Sequence, residues 1–231
     1  MKKLMWIVSV IPLLFTAVAL QFMPDTIPMH SNFAGEIDRW GSKYESYIFP
    51  LLILAITLFW HLLTQHFEKK ADRAKSDKER AEAQSNAKFL PIVGLSMAVM
   101  YTVMQAFILY GSYQTAVTDS AVASVDIAKV SCIILGGIFI VLGNFMPKTR
   151  KNYLLGVRIS YSMYNDTTWR KSNRFGAIAM IAAGILTVVT SIFLNGNAAT
   201  VMMLIYLLGA TAATLIYAKK VLYDVEKKKT D

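Results

Sequence analysis

The chain has 231 residues, 55% of them hydrophobic and 17% charged, with a formal net charge of +9. Water-soluble domains carry a little under half apolar residues and about a quarter charged ones, so this composition excludes an ordinary soluble enzyme and indicates a membrane protein. The cations segregate by connection, so the charge reflects membrane topology and gives no reason to expect a direct nucleic-acid partner.

Six apolar runs follow one another: Leu4 to Met23, Tyr47 to Phe67, Phe89 to Gly111, Ile127 to Met146, Phe175 to Leu194 and Ala199 to Ala218. Each holds roughly twenty residues, enough to cross about 30 Å of hydrocarbon as a helix. Helices satisfy their own backbone hydrogen bonds there, so the expected fold is all-α, an integral membrane bundle of six transmembrane helices. Twenty-one of the 24 Lys and Arg lie before the first run, from Lys69 to Lys88, from Lys148 to Arg174, or from Lys219 onward. Cations in short connections stay in the cytoplasm, which predicts both termini cytoplasmic. Arg39, Lys43 and Lys129 are the exceptions.

Lys2 and Lys3 before the first run resemble the start of a secretory signal, but its apolar part is long and "ALQFMPD" is a poor cleavage site. A retained signal anchor is expected. The outer connection Pro24 to Ser46 is punctuated by Pro24, Pro28, Gly35 and Gly41, which predicts turns and short extended pieces. Residues 1–67 read as an N-terminal helical hairpin carrying this outer motif, 68–88 as a charged cytoplasmic loop, and 89–231 as a C-terminal four-helix region.

The stretch from Glu68 to Lys88 has no Gly or Pro and is expected to prolong both neighbouring helices into solvent. There Lys75 with Glu79, and Lys78 with Glu82, have the spacing of helical ion pairs. Further on, Gln105 is the most central polar group and a candidate interhelical hydrogen-bond partner. Asp126 and Lys129 are expected to neutralise each other, and the lone Cys132 to act as a small buried hydrophobe. Ala179 with Ala183, and Gly209 with Ala213, are small-residue pairs suited to close helix contact. "NGN" at Asn195 to Asn197 marks a tight turn.

Catalytic and metal patterns are absent from the sequence. His61 and His66 are five apart and point about 140° from each other on a helix, and His30 belongs to the opposite face, so no metal site or cofactor is expected. No nucleophile elbow, phosphate loop or dinucleotide fingerprint occurs, and the chain is read as a non-enzyme.

Two stretches carry more pattern than a bundle requires. "LQFMPDTIPMHSNFAGEIDRWGSK" resembles a short module of unknown function with Ile-Pro, His, Asn, Gly, Asp and a terminal Ser-Lys in this order. "GNFMPKTRKNYLLGVR" and "TTWRKSNRFG" resemble the C-terminal motif of the SdpI family, in which both motifs occur in this order on a six-span chain. That resemblance implies a bacterial immunity protein of the cell membrane, which shields its producer from a secreted antimicrobial peptide toxin. It also implies a signalling role in which a cytoplasmic transcriptional repressor is held at the membrane.

By position, the outer residues implied to meet toxin or ligand are Pro28, His30, Asn32, Gly35, Trp40 and Lys43. The inner functional motif comprises Asn144, Pro147, Asn152, Gly156, Arg158, Trp169 and Asn173, with Gly143 and Met146 also matching. "RISYS" stands where family members commonly have Thr-Pro-Trp-Thr after Gly-x-Arg, which leaves that segment less constrained.

Plainer readings stand beside these. Arg158 and Trp169 can be interfacial anchors alongside Tyr153, Tyr161 and Tyr164, with membrane lipids as their partners. His30 can pack its own loop, and Lys43 can pair with Glu45 or Asp38. Pro147 would end span four, with Asn144, Asn152 or Lys148 satisfying the last carbonyls. A small transporter or membrane enzyme acting on a lipid-linked or peptide substrate is the alternative function, and a purely structural bundle is a third.

Overall fold

A computed structural model of the chain describes residues 1–152 and 154–230. Six of its helices are long and apolar enough to cross a membrane. They are α1 (Lys2–Ala19), α2 (Ile48–Asp72), α3 (Asp77–Val117), α4 (Ile127–Phe145), α6 (Asp166–Phe193) and α7 (Gly196–Thr230). A single turn, α5 (Ser160–Met163), lies in the connection before α6.

The extended pieces expected between α1 and α2 form an antiparallel hairpin, β1 (Thr26–Ser31) and β2 (Ile37–Ser42). Hence the chain is mainly helical with one small sheet. A 3₁₀ turn, Lys43–Tyr47, leads into α2, with the Ser42 hydroxyl accepting from Tyr44 and the Glu45 carboxylate from the Ser42 amide.

Helices α1, α2 and α3 pack together, as do α4, α6 and α7, and the two groups meet where α3 packs against α4. Gln105 is buried and donates to the Thr16 hydroxyl at 3.0 Å and to the Ser46 carbonyl at 3.2 Å, tying α3 to α1 and to the start of α2. Ser9 and Thr57 meet at 2.6 Å lower in the same seam, and the Trp6 indole donates to His61 at 3.2 Å. Polar pairs of this kind select a register between apolar helices that hydrophobicity alone leaves free.

The second group is held by close backbone approach. A Cβ on Gly136 would lie 2.8 Å from the Gly184 carbonyl, and one on Gly184 would lie 2.6 Å from the Gly136 carbonyl. Ala183 is buried beside this crossing, but Gly209 has open space around it, so the expected Gly209–Ala213 contact is not made within the chain. Cys132 is buried, 3.5 Å from the Thr200 hydroxyl.

Two other local expectations are corrected. Asp126 and Lys129 do not pair through their side chains. Instead the Asp126 carboxylate accepts from the amides of Lys129 at 2.9 Å and Gly196 at 2.7 Å, capping α4 and fastening the α6–α7 turn to it. The Lys129 ammonium donates to the Ile192 carbonyl, near the end of α6 where helix carbonyls lack amide partners.

The 68–88 stretch does prolong α2 and α3, but a turn at residues 73–76 separates them and places Lys75 outside the helix. Glu79 therefore takes the Lys75 backbone amide at 3.2 Å, while Ser76 caps α3. Among the described residues no ion pair joins Lys78 to Glu82.

Candidate functional site

The bundle has two dissimilar ends. At one, the hairpin lies across the helix tips. Ile27 is buried with Leu20, Met23 and Leu109, so β1 plugs the gap between the ends of α1 and α3. The Ser112 hydroxyl donates to the Pro28 carbonyl at 3.2 Å, and Pro28 faces Trp40 across the sheet. The irregularity around Met29 lets proline sit in the strand, since a bulge spares it from donating to the ladder.

The hairpin turn is built by Asn32. Its side-chain oxygen accepts from the amides of Ala34 at 2.9 Å and Glu36 at 3.0 Å, while its NH₂ donates to the Glu36 carboxylate at 2.8 Å. Gly35 follows with φ of 83°, a left-handed conformation that costs glycine little. Its carbonyl accepts from Ala123, and the Ala121 carbonyl accepts from Ile37, so the α3–α4 connection lines the hairpin edge. The tip reaches the other helix group, where the Asn197 side chain donates to the Phe33 carbonyl at 2.6 Å.

Above this scaffold stand the exposed groups. His30 contacts the Asp38 carboxylate at 2.6 Å and remains exposed, as does Trp40, and Phe33 at the tip is 92% exposed. Lys43 does not pair with Glu45 or Asp38. It reaches back to Asp25 at 3.0 Å and to the Met23 carbonyl at 3.1 Å, while Glu45 is engaged by Arg39. Of the six outer residues, Pro28, Asn32, Gly35 and Lys43 shape the hairpin, whereas His30 and Trp40 present side chains on its surface.

At the opposite end, the connection from α4 to α6 folds into a buried polar knot. Pro147 lies in a 3₁₀ turn, Met146–Lys148, and the Met146 carbonyl accepts from both the amide and the hydroxyl of Thr149. The Thr149 carbonyl in turn accepts from the Trp169 indole at 3.0 Å. Trp169 is only 2% exposed. It is therefore a core residue of this end, and the plainer reading of Trp169 as an interfacial anchor does not hold.

Asn173 stands one turn further along α6, 1% exposed, with its oxygen accepting from the Val157 amide at 2.8 Å and its NH₂ donating to the Trp169 carbonyl at 3.0 Å. Asn152 organises the preceding bend, accepting from the amides of Leu154 at 2.7 Å and Leu155 at 2.8 Å and donating to the Arg150 carbonyl at 2.6 Å. Its partners are thus loop amides and a loop carbonyl, not the last carbonyls of α4. Between them Gly156 has φ of 93°.

Asn152, Gly156, Trp169 and Asn173 are thereby brought together. Asn144 and Pro147 are exposed at the end of α4, and Arg158 is exposed beyond Gly156, outside the knot. Tyr161 and Tyr164 are exposed as well, and Tyr153 lies outside the described residues.

The knot also uses Thr149, Ser162, Asn165 and Thr168, none of which the motif reading singled out. Thr168 donates to the Ser162 carbonyl at 3.0 Å, and Asn165 caps α6 by accepting from the Thr168 amide at 2.8 Å. Asn165 followed three residues later by Thr168, with Asp166 in the first turn, is a capping pattern that the sequence does display.

Comparison with known proteins adds the following. Residues 148–218 match the SdpI/YfhL protein family, and residues 7–54 match a domain of unknown function, DUF1648. The chain is 24% identical over 216 residues to "Immunity protein SdpI" of Bacillus subtilis (strain 168), covering 93% of each chain. No solved structure matches. The match to the SdpI/YfhL family covers the knot from Lys148 onward, leaving Met146 and Pro147 just outside it, and the match to DUF1648 covers the whole hairpin.

Proposed function

We propose, with that pair of matches as the premise, that the chain is an integral membrane immunity protein protecting its producer from a secreted antimicrobial peptide toxin. The observation that carries this reading is the similarity to an immunity protein along nearly the full length of both chains. The concentration of Lys and Arg at the knot end supports a cytoplasmic location for that end and for both termini. The hairpin end then faces the outside, where toxin arrives.

In this reading Asn32, Gly35 and Pro28 hold a rigid platform, and His30, Trp40 and Phe33 offer it an aromatic and polar contact surface. Rigid aromatic groups give large contact area with little ordering cost. A cytoplasmic repressor, if the chain also signals, meets the opposite end, where Arg158 is exposed while Asn152, Trp169 and Asn173 act from inside. Toxin changes the state of that end only by favouring one arrangement of the protein over another.

The test is survival of a sensitive bacterium expressing the chain and challenged with a panel of secreted antimicrobial peptides. Wild-type protein is expected to protect against at least one. The double variant His30→Ala with Trp40→Ala should then lose about tenfold or more in protective concentration, because exposed aromatic contacts each contribute on the order of 1 kcal/mol or more. Its membrane level, read by immunoblot, should stay unchanged. Sensitivity to every peptide with wild-type protein present, or full protection by the double variant, contradicts the reading.

A further inference from the structure

At the basic end, α3, the last residue of α4 and the residues after Pro147 line an open cleft of about 480 Å³. Three cations line it: Lys88 from α3, and Lys148 and Arg150 from the connection that follows α4. Gln84 and Ser85 add polar groups, and no Asp or Glu is among the lining residues. Among the described residues none of the three cations is in an ion pair. Like charges gathered in one cleft repel, so the arrangement is favoured when an anion occupies it.

The floor is apolar. Phe89 and Phe145 meet edge to face with ring centroids 6.1 Å apart, and Ile92 continues the surface along α3. Lys148 stands over the Phe145 ring, 4.8 Å from its centroid. Lys88 is the last charged residue before the apolar run of α3, which puts the cations at the level where hydrocarbon gives way to headgroups. A cleft with cations at its mouth and hydrocarbon-compatible walls below matches an amphiphile with a phosphate head and an acyl tail.

We infer that this cleft binds the phosphate headgroup of an anionic phospholipid, with an acyl chain along Phe89, Ile92 and Phe145. Basic pockets between transmembrane helices suit such headgroups. The cations are also held in place. Thr149, between Lys148 and Arg150, is fixed by the Trp169 indole, and the Arg150 amide donates to the Ser85 hydroxyl at 3.3 Å. The buried knot thus acts as a positioning device for a lipid site on its flank. This inference does not depend on the immunity reading.

The experiment uses the full-length protein purified in a mild neutral detergent and titrated with phosphatidylglycerol or phosphatidylcholine, with retained lipid read by native mass spectrometry. Wild-type protein should retain phosphatidylglycerol in preference to phosphatidylcholine. The triple variant Lys88→Gln, Lys148→Gln, Arg150→Gln should bind phosphatidylglycerol roughly a hundredfold more weakly.

Lys88→Arg with Lys148→Arg should preserve binding. A charge-matched control, Lys3→Gln with Lys219→Gln and Lys220→Gln, should leave it unchanged, since none of these residues lines the cleft. Millimolar glycerol 3-phosphate should not displace the lipid. Equal retention of the two lipids, equal loss in the control, or displacement by free glycerol phosphate would overturn the inference.

Discussion

Gly156→Ala is expected to destabilise the detergent-solubilised protein by about 3 kcal/mol or more, through two effects acting at one atom. The backbone there has φ of 93°, which an L side chain adopts only with strain. An added Cβ would also collide with the Asn173 side-chain oxygen and lie 3.1 Å from the Trp169 ring. That oxygen already holds the Val157 amide, so moving it away leaves a buried donor unpaired. Reversible unfolding in increasing detergent denaturant measures the loss. Gly209→Ala is the control, because its Cβ would enter open space in mid-helix, and it should leave stability unchanged or raise it by up to about 1 kcal/mol. Equal behaviour of the two variants would refute the knot as a structural centre.

Trp169→Ala should cost a further large amount, about 3–5 kcal/mol, as expected for removing a buried aromatic. Trp169→Phe separates the two contributions of the side chain. It keeps much of the packing but removes the indole donor, so the Thr149 carbonyl loses its 3.0 Å partner at a cost of about 1–3 kcal/mol. The same unfolding titration should therefore rank wild type above Trp169→Phe, and Trp169→Phe above Trp169→Ala. An interfacial anchor would give a different order, with Phe close to wild type.

Much of the architecture was legible because its determinants are local in sequence. Apolar length identified the six long helices, and Gly35 with the prolines marked the break that became the hairpin. Gln105 was legible as an interhelical donor because a central amide in hydrocarbon has few other options. What sequence spacing does not encode is which distant group arrives. The Asn197–Phe33 contact joins residues 164 positions apart, and the Asp126–Gly196 contact joins residues 70 apart. Likewise Lys43 reaches Asp25 across the hairpin instead of a near neighbour, since β-pairing brings the two strand ends together.

The inner motif shows the same limit in another form. Trp among cations near a span end fits an interfacial belt, and only tertiary packing reveals that Trp169 turns inward to Thr149. Small-residue pairs along one helix are visible in the sequence, but the tight crossing is made by one glycine from each of two helices, Gly136 and Gly184. Intrahelical spacing cannot identify such a pair. The capping pair Asn165 and Thr168 was readable and marks the start of α6 within the residues that complete the knot.

The proposed function requires the hairpin and the knot to face opposite sides of the membrane. The most direct measurement is labelling of single cysteines with a membrane-impermeant maleimide on a Cys132→Ala background, at Phe33→Cys on the hairpin tip and Tyr164→Cys beside the knot. The account predicts that intact cells label Phe33→Cys, and that Tyr164→Cys reacts only after permeabilisation. Labelling of both from outside, or of Tyr164→Cys alone, would contradict it.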